Sequence, residues 1–359
     1  MKNKVVKTIL VVAGVLLASG VLLFGGFLIF SGVTTLQVKD TEPMDIGGMA
    51  SGKVDGNEEI SILTWNIGYG GLDERQDCYF DGGKGVDGES LEVVQNNVSE
   101  IMNKIDLLDP DIFNVQEIDR DSKRSYHYDE LAALEEKFNK DTYQYCFARN
   151  FKAGFVPVPL YNPTGKVEAG IGTFSKFRIS SATRVQLPIP FNWPVSMVNL
   201  KRCLLINRLP VMDSDKELVM INLHLEAYDD GEGKARQMKQ LMDIMGEEYN
   251  KGNYVVACGD FNQAFSNVDL SKYPKVDEWL CPIIDVEEYP DFTFSMDDSV
   301  PTCRSLTTSY YDSDKSTHQY YMLDGFITSQ NIRITQLKTY DFGFKNTDHN
   351  PVLMTITLE

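Results

Sequence analysis

An aspartate and an asparagine close an uncharged run in YVVACGDFNQ, Tyr254 to Gln263. The run is rich in β-branched and small residues and reads as a fully buried strand. Gly259 breaks it, Asp260 follows, and Asn262 stands two residues on. At the mouth of a buried strand, Asp260 can accept a proton or hold a metal, and Asn262 can orient a water or a phosphoryl oxygen. Asp and Asn are also ordinary turn formers, so on this stretch alone a capped loop is an equal reading. The arrangement repeats elsewhere. Asn66 ends ISILTWN, Glu117 follows DIFNVQ, and His224 ends LVMINLH. Asp324 lies in YMLDGFI, and TDHNP sets Asp348 and His349 before the last apolar run. Each is weak singly. Carboxylates, amides and imidazoles recurring where strands end are what an α/β site requires.

The elements that must position these groups alternate. Residues 60–67 predict a strand, and a polar, Gly-rich loop follows. Apolar residues at 91, 94, 98, 101, 105 and 108 share one helix face, and Pro110 ends that helix. A short strand closing on Glu117, a helix over 129–138 and a strand YQYCFAR come next. Residues 151–166 read as loop with three prolines, AGIGTFS as a strand, and LVMINLHLEAY as the strand of His224. The spacing predicts a helix over 232–249, with Ala235, Met238, Leu241, Met242 and Met245 facing the core. The strand of Asp260, a long irregular stretch and two further strands complete a mixed α/β chain.

The chain opens with Lys2, Lys4 and Lys7 before an uncharged, mostly apolar stretch from Thr8 to Val38. A membrane-spanning helix needs about 20 such residues, whereas a signal-peptide core has about 7–15. The length favours an uncleaved signal anchor; a long signal cut near Ala18 to Gly20 is the alternative. The lysines predict a cytoplasmic N-terminus and an extracytoplasmic bulk, in a single-pass cell-membrane protein. Residues 1–35 are read as anchor, 36–58 as a polar, Gly-rich linker, and 59–359 as one catalytic domain.

A formal net charge of -18 argues against an unspecific basic-patch binder of nucleic acid, and suits a site that gathers divalent cations. Cysteines at 78, 146, 203, 258, 281 and 303 include no CxxC pair. Buried free thiols are the expectation, with one surface disulfide left open.

With these residues in hand, the chain resembles the endonuclease/exonuclease/phosphatase superfamily. That group includes pancreatic-type deoxyribonucleases, abasic-site endonucleases, neutral sphingomyelinases and inositol polyphosphate phosphatases. TWNI, VQEI, INLHL, GDFN, LDGFI and TDHNPV occur in the family's order over residues 60 to 359. The resemblance implies a four-layer α/β sandwich, two mixed β-sheets packed face to face with helices outside. It implies Mg²⁺ at Glu117, with Asn66 and Asp348 completing or supporting that site; Mn²⁺ and Ca²⁺ are alternatives. Asp260 would activate or orient water, Asn262 would hold water and phosphate, and Asp324 would orient His349 toward the phosphoryl group. His224 would bind phosphate or assist the leaving group.

The expected activity is metal-dependent phosphoester hydrolysis, first a phosphodiesterase. A sugar or inositol phosphomonoesterase is the alternative, and a non-catalytic binding module on the same fold is the reading from another class. Nucleic acid, phospholipid head group and small phosphoester all stay open as substrate, and oligomeric state is not indicated. The long loop after Asn66 departs from the short connections of abasic-site endonucleases, and their tyrosine motif is not evident. VPVPLYNPTG and PIPFNWPVSMVN are aromatic, Pro-rich loops suited to packing or to gripping a lipid or sugar. Lys201, Arg202 and Arg208 form the basic cluster nearest to hand for an anionic substrate.

Overall fold

A computed structural model describes residues 2–138, 142–229, 231–273, 275, 276, 279 and 281–359. Two seven-stranded mixed sheets carry the molecule. From edge to edge, the first runs Ile332–Thr339, Val352–Leu358, Ile60–Asn66, Ile112–Asp119, Gly165–Ser175, Gln144–Val156 and Ile46–Gly48. The second runs Thr41–Pro43, Ser181–Gln186, Cys203–Pro210, Glu217–His224, Tyr254–Asp260, Asp324–Ser329 and Phe292–Ser295.

Side-chain alternation explains the layers. In Tyr254–Asp260, Val256 and Cys258 join Ile60, Ile62, Met220 and Met354 in the core between the sheets. Val255 and Ala257 point the other way, onto Met238, Leu241 and Met245 of helix Glu232–Asn250. A central strand covered on both faces has no polar side, hence its uncharged run. Helices Leu91–Leu108 and Glu130–Phe138 cover the outer face of the first sheet through Ile101, Ile105, Leu131 and Leu134. The result is helix, sheet, sheet, helix. Ala235 departs from the predicted face and is exposed; Lys234 is buried instead, paired with Asp229 at 3.1 Å.

Gly259 has φ 149°, and a Cβ there would stand 1.9 Å from the Leu223 carbonyl oxygen. Only glycine lets the two parallel strands approach this closely, just before Asp260.

The segment expected as a free linker is instead built into the sandwich. Thr41–Pro43 pairs with Ser181–Gln186 at the edge of one sheet, and Ile46–Gly48 pairs with Gln144–Val156 at the edge of the other. Val54 is fully buried between the sheets. Short polar, Gly-rich strands at sheet edges carry too little periodicity to be read from sequence. Before them, helix Lys2–Thr34 spans 33 residues. At 1.5 Å per residue it is about 50 Å long, more than a bilayer's hydrocarbon core of about 30 Å. It is apolar all round and its membrane-length part is unburied, so it is long and apolar enough to span a membrane. All six cysteines are free thiols, five of them buried.

Candidate active site

Strand register assembles one half of the site. Asp260 lies opposite His224 in the parallel pairing and opposite Asp324 in the antiparallel pairing, so three adjacent strands deliver three ionisable groups at one edge. The other sheet ends beside them. Asn66 aligns with Gln116, and Glu117 follows at a register shift with a left-handed φ of 59°. A non-glycine residue held at a bulge in that region is a strained device that re-aims a side chain. The Glu117 side chain is the most open of the group, 23% exposed. Asp348 and His349 arrive on the loop before Val352–Leu358, fixed by the Trp65 indole N–H donating to the His349 carbonyl at 2.9 Å.

The predicted residues converge. The Asn66 amide nitrogen donates to Glu117 Oε1 and to Asp260 Oδ2, both at 3.1 Å, and so ties the two sheets' carboxylates together. Its oxygen accepts from the Gly68 N–H at 3.1 Å, leaving one lone pair for other use. Asp260 Oδ2 lies 3.5 Å from His224 Nε2 and 3.8 Å from His349 Nε2. His349 Nδ1 is 2.7 Å from Asp324 Oδ2, and its Nε2 is 3.9 Å from Asp348 Oδ2. Asn262, at φ 51°, donates its backbone N–H to Asp260 Oδ1 at 2.8 Å and its amide to the Leu225 carbonyl at 3.0 Å. Two surface clefts, of about 430 and 570 Å³ around Tyr310 and around Asn97, include none of these residues.

Burial sets the electrostatics. It pushes Asp260 up to about 6, with the Asp324 carboxylate adding. It pushes Asp348 up to about 6 as well, with the charge of Glu117 adding to it. His224 falls well below the usual imidazole value, through burial and then Arg202 and His349. Burial opposes the imidazolium of His349 too, but the groups around it, Asp324 first with Cys303 and Asp348 adding, together hold that pKa well above the usual value. The two histidines are thus set apart in charge at neutral pH, the pattern of groups with different tasks.

Crowded carboxylates with raised pKa values suit a divalent cation. Two groups, Asp260–Asp324–His349 and Cys303–Asp348–His349, bring one donor atom each within 4.8 Å of the others. Burial lifts the Cys303 thiol to about 12, so it is a neutral and poor ligand for a hard cation. Carboxylate oxygens such as those of Glu117 and Asp348 are the donor type that suits a hard divalent cation. Asp260 and Asp348 bind protons more tightly in the native state than at their ordinary value of 3.8. Their contribution to stability therefore falls as pH rises from about 4 through 6, and a bound cation should offset that loss. Saturating Mg²⁺ should raise the Tm more near about pH 7 than near about pH 5; equal shifts would separate binding from these carboxylates.

Several neighbours escaped sequence reading. Tyr69, left-handed and buried in the first turn after Asn66, lies under the Arg124 guanidinium at 3.7 Å. Arg124 is held bidentate by Asp119 at 2.9 and 3.0 Å. The Tyr228 hydroxyl donates to Asp81 Oδ1 at 3.0 Å, and burial raises Asp81. In sequence GYGG reads as a turn, and the stretch around Asp81 as a polar, Gly-rich loop. Two of the three residues of the expected basic cluster, Lys201 and Arg208, are spent on structure. Lys201 bonds Thr35 at 2.9 Å, Arg208 pairs with Glu217 and Glu248, and buried Arg202 faces Glu226 at 3.7 Å.

The four-layer sandwich and this strand-end cluster define a phosphoesterase fold of the endonuclease/exonuclease/phosphatase type. A profile of the Endonuclease/Exonuclease/phosphatase family matches residues 63–342, and the chain belongs to that family. No curated protein matches the chain. Among solved structures it is similar to an endonuclease/exonuclease/phosphatase from Beutenbergia cavernae, 19% identical, over 84% of this chain and 72% of that one, TM-score 0.55. A Bacteroides vulgatus endonuclease/exonuclease/phosphatase is 14% identical over 84% and 100%, TM-score 0.52. The human Nocturnin catalytic domain, solved with a bound sulfate anion, is 14% identical over 88% and 98%, TM-score 0.51. At these identities the likeness is one of fold.

Proposed function

We propose that the chain is a membrane-anchored, extracytoplasmic, Mg²⁺-dependent phosphodiesterase. One observation carries the reading: Asp260 sits between two imidazoles of opposite charge tendency and is tied through Asn66 to Glu117. Asp260 Oδ2 is the proton acceptor for an attacking water, and the Asn262 backbone N–H and the Asn66 amide aim the carboxylate. His349 carries its charge toward the phosphoryl oxygens at Nε2, while Asp324 fixes the ring through Nδ1. His224 stays neutral and so suits hydrogen bonding to phosphate better than protonating a leaving group. Asn66 serves first as a positioning residue. Glu117 and Asp348 would hold Mg²⁺, whose chemistry is to neutralise charge on the phosphoryl oxygens. The sulfate on the Nocturnin domain supports an anion-binding reading of this fold.

The catalytic unit in this reading includes residues 36–58, since they complete both sheets. The full-length protein in detergent should hydrolyse at least one member of a panel of plasmid DNA, RNA, phospholipid and small phosphodiesters with Mg²⁺, and EDTA should abolish the rate. Silence across the panel with Mg²⁺, Mn²⁺ and Ca²⁺ would favour a binding module. Lys2, Lys4 and Lys7 support an outside-facing domain. Protease added to intact cells should remove a C-terminal tag; protection until the membrane is opened would reverse the topology.

A further inference from the structure

Strand polarity places the exit of the membrane-length helix beside the site. Ile60–Asn66 and Ile112–Asp119 are parallel and end at the cluster. Gly165–Ser175 pairs antiparallel to the second of these, with Ala169 opposite Asp119, so it begins at that edge. Gln144–Val156 ends there, and residues 157–164 hang from the catalytic edge of the first sheet. In the second sheet Leu204 lies opposite Leu223, so Cys203–Pro210 also begins at the catalytic edge, and residues 187–202 hang from it.

The end of helix Lys2–Thr34 packs on the last residues of strand Gln144–Val156, just before the first connection, and on the second connection. The Gly154 N–H donates to Thr34 Oγ1 at 3.2 Å, the Leu36 N–H to the Lys152 carbonyl at 2.9 Å, and Lys201 Nζ to Thr35 Oγ1 at 2.9 Å. A Cβ on Gly32 would touch Met197 Sδ at 3.8 Å. No free spacer separates helix from domain, so the bilayer must meet this edge.

The side chains projecting here are apolar and aromatic. Leu160 is 89% exposed, Trp193 67% and Tyr161 66%, with Phe155, Val158 and Val195 also exposed. Single exposed apolar residues are ordinary, but these lie on, or in Phe155's case next to, the two loops that flank one helix exit. Trp and Tyr with an apolar body and a polar tip favour the membrane–water interface. The loops are ordered: Tyr161 donates to the Lys84 carbonyl at 2.7 Å, and the Thr164 N–H to the Val158 carbonyl at 3.0 Å. The Lys84 loop is also the loop of Asp81, whose carboxyl feels the charges of Glu117 and His349.

We propose that the catalytic edge lies on the lipid surface, with Leu160, Tyr161 and Trp193 seated at head-group depth, and that the substrate is a lipid-borne phosphoester of the same leaflet. The substrate half rests on the catalytic reading above; the docking half does not. With a net charge of -18, apolar seating rather than attraction to anionic lipid holds the edge down, so docking persists on zwitterionic lipid.

Full-length protein in phosphatidylcholine nanodiscs tests both halves. Emission lost in Trp193→Phe isolates that residue from Trp65 and Trp279. Lipids with brominated chains should quench that component, and aqueous acrylamide should quench it less than in detergent. Equal acrylamide quenching and no bromine effect would overturn docking. Leu160→Asp with Trp193→Asp should lower hydrolysis of nanodisc phospholipid by about tenfold or more, with the rate on a water-soluble short-chain phosphodiester unchanged. Hydrolysis of DNA but not of bilayer lipid would overturn the substrate half while leaving the quenching result to stand. No hydrolysis of any ester would overturn the catalytic reading, and quenching alone would then decide docking.

Discussion

Asp260→Asn should depress kcat by about 10²-fold or more, the usual range for losing a positioned acid–base group, with little change in KM. The replacement keeps size and shape and removes the charge. Asp260 accepts from the Asn66 amide at 3.1 Å and from the Asn262 N–H at 2.8 Å. An asparagine offers one oxygen, so one of those contacts becomes donor against donor and the Tm should fall modestly. Added Mg²⁺ should not restore the rate, because the missing part is the proton acceptor. His349→Ala should match it, since the cation facing the phosphoryl group is gone. Asp324→Asn should be milder and carry a pH signature. It removes the partner 2.7 Å from His349 Nδ1, so the imidazolium should lose its proton at lower pH and the alkaline limb of the rate profile should shift down. Turnover, Tm and pH profile for each variant decide the matter. A metal-rescued Asp260→Asn, or an Asp324→Asn with unmoved alkaline limb, would sink this assignment.

The strands and the site were unequally legible in the sequence. Tyr254–Asp260 could be read because a strand covered on both faces must be uncharged, and its polar exit then stands out. His224 and Asp324 were legible singly for the same reason. Their meeting with Asp260 was not, because sheet register is set by pairings 36 and 64 residues away along the chain, from Asp260↔His224 and Asp260↔Asp324. Glu117 was visible as a residue but not as a left-handed bulge, which no local propensity encodes. Residues 36–58 look like a linker because edge strands of three residues carry no period. Arg202 and Arg208 look like a basic patch because their partners, Glu226 and Glu248, come from other elements. Composition reports charge, and only packing reports whether it is spent.

Glu117→Gln should behave differently from Asp260→Asn and so separate metal holding from proton transfer. Glu117 is the carboxylate of the cluster most open to solvent, where a cation can enter with waters still attached. Glutamine can still accept, through its side-chain oxygen, the bond that the Asn66 amide nitrogen donates to Glu117 Oε1 at 3.1 Å, but it supplies no anionic ligand. Removing its charge also relieves Asp348, whose pKa it helps to raise, so that carboxylate should ionise at lower pH. The Mg²⁺ concentration for half-maximal rate should rise by about 10- to 100-fold, in line with losing one element of a metal site. High Mg²⁺ should return part of the lost kcat, because Asp348 and the proton acceptor remain. The Mg²⁺-induced rise in Tm should shrink at moderate Mg²⁺ and recover at high Mg²⁺, a readout independent of turnover. Isothermal titration with Mg²⁺ and a rate titration should give the same displacement. An unchanged Mg²⁺ requirement with a lost kcat would place Glu117 in proton transfer and reverse the two carboxylates' roles.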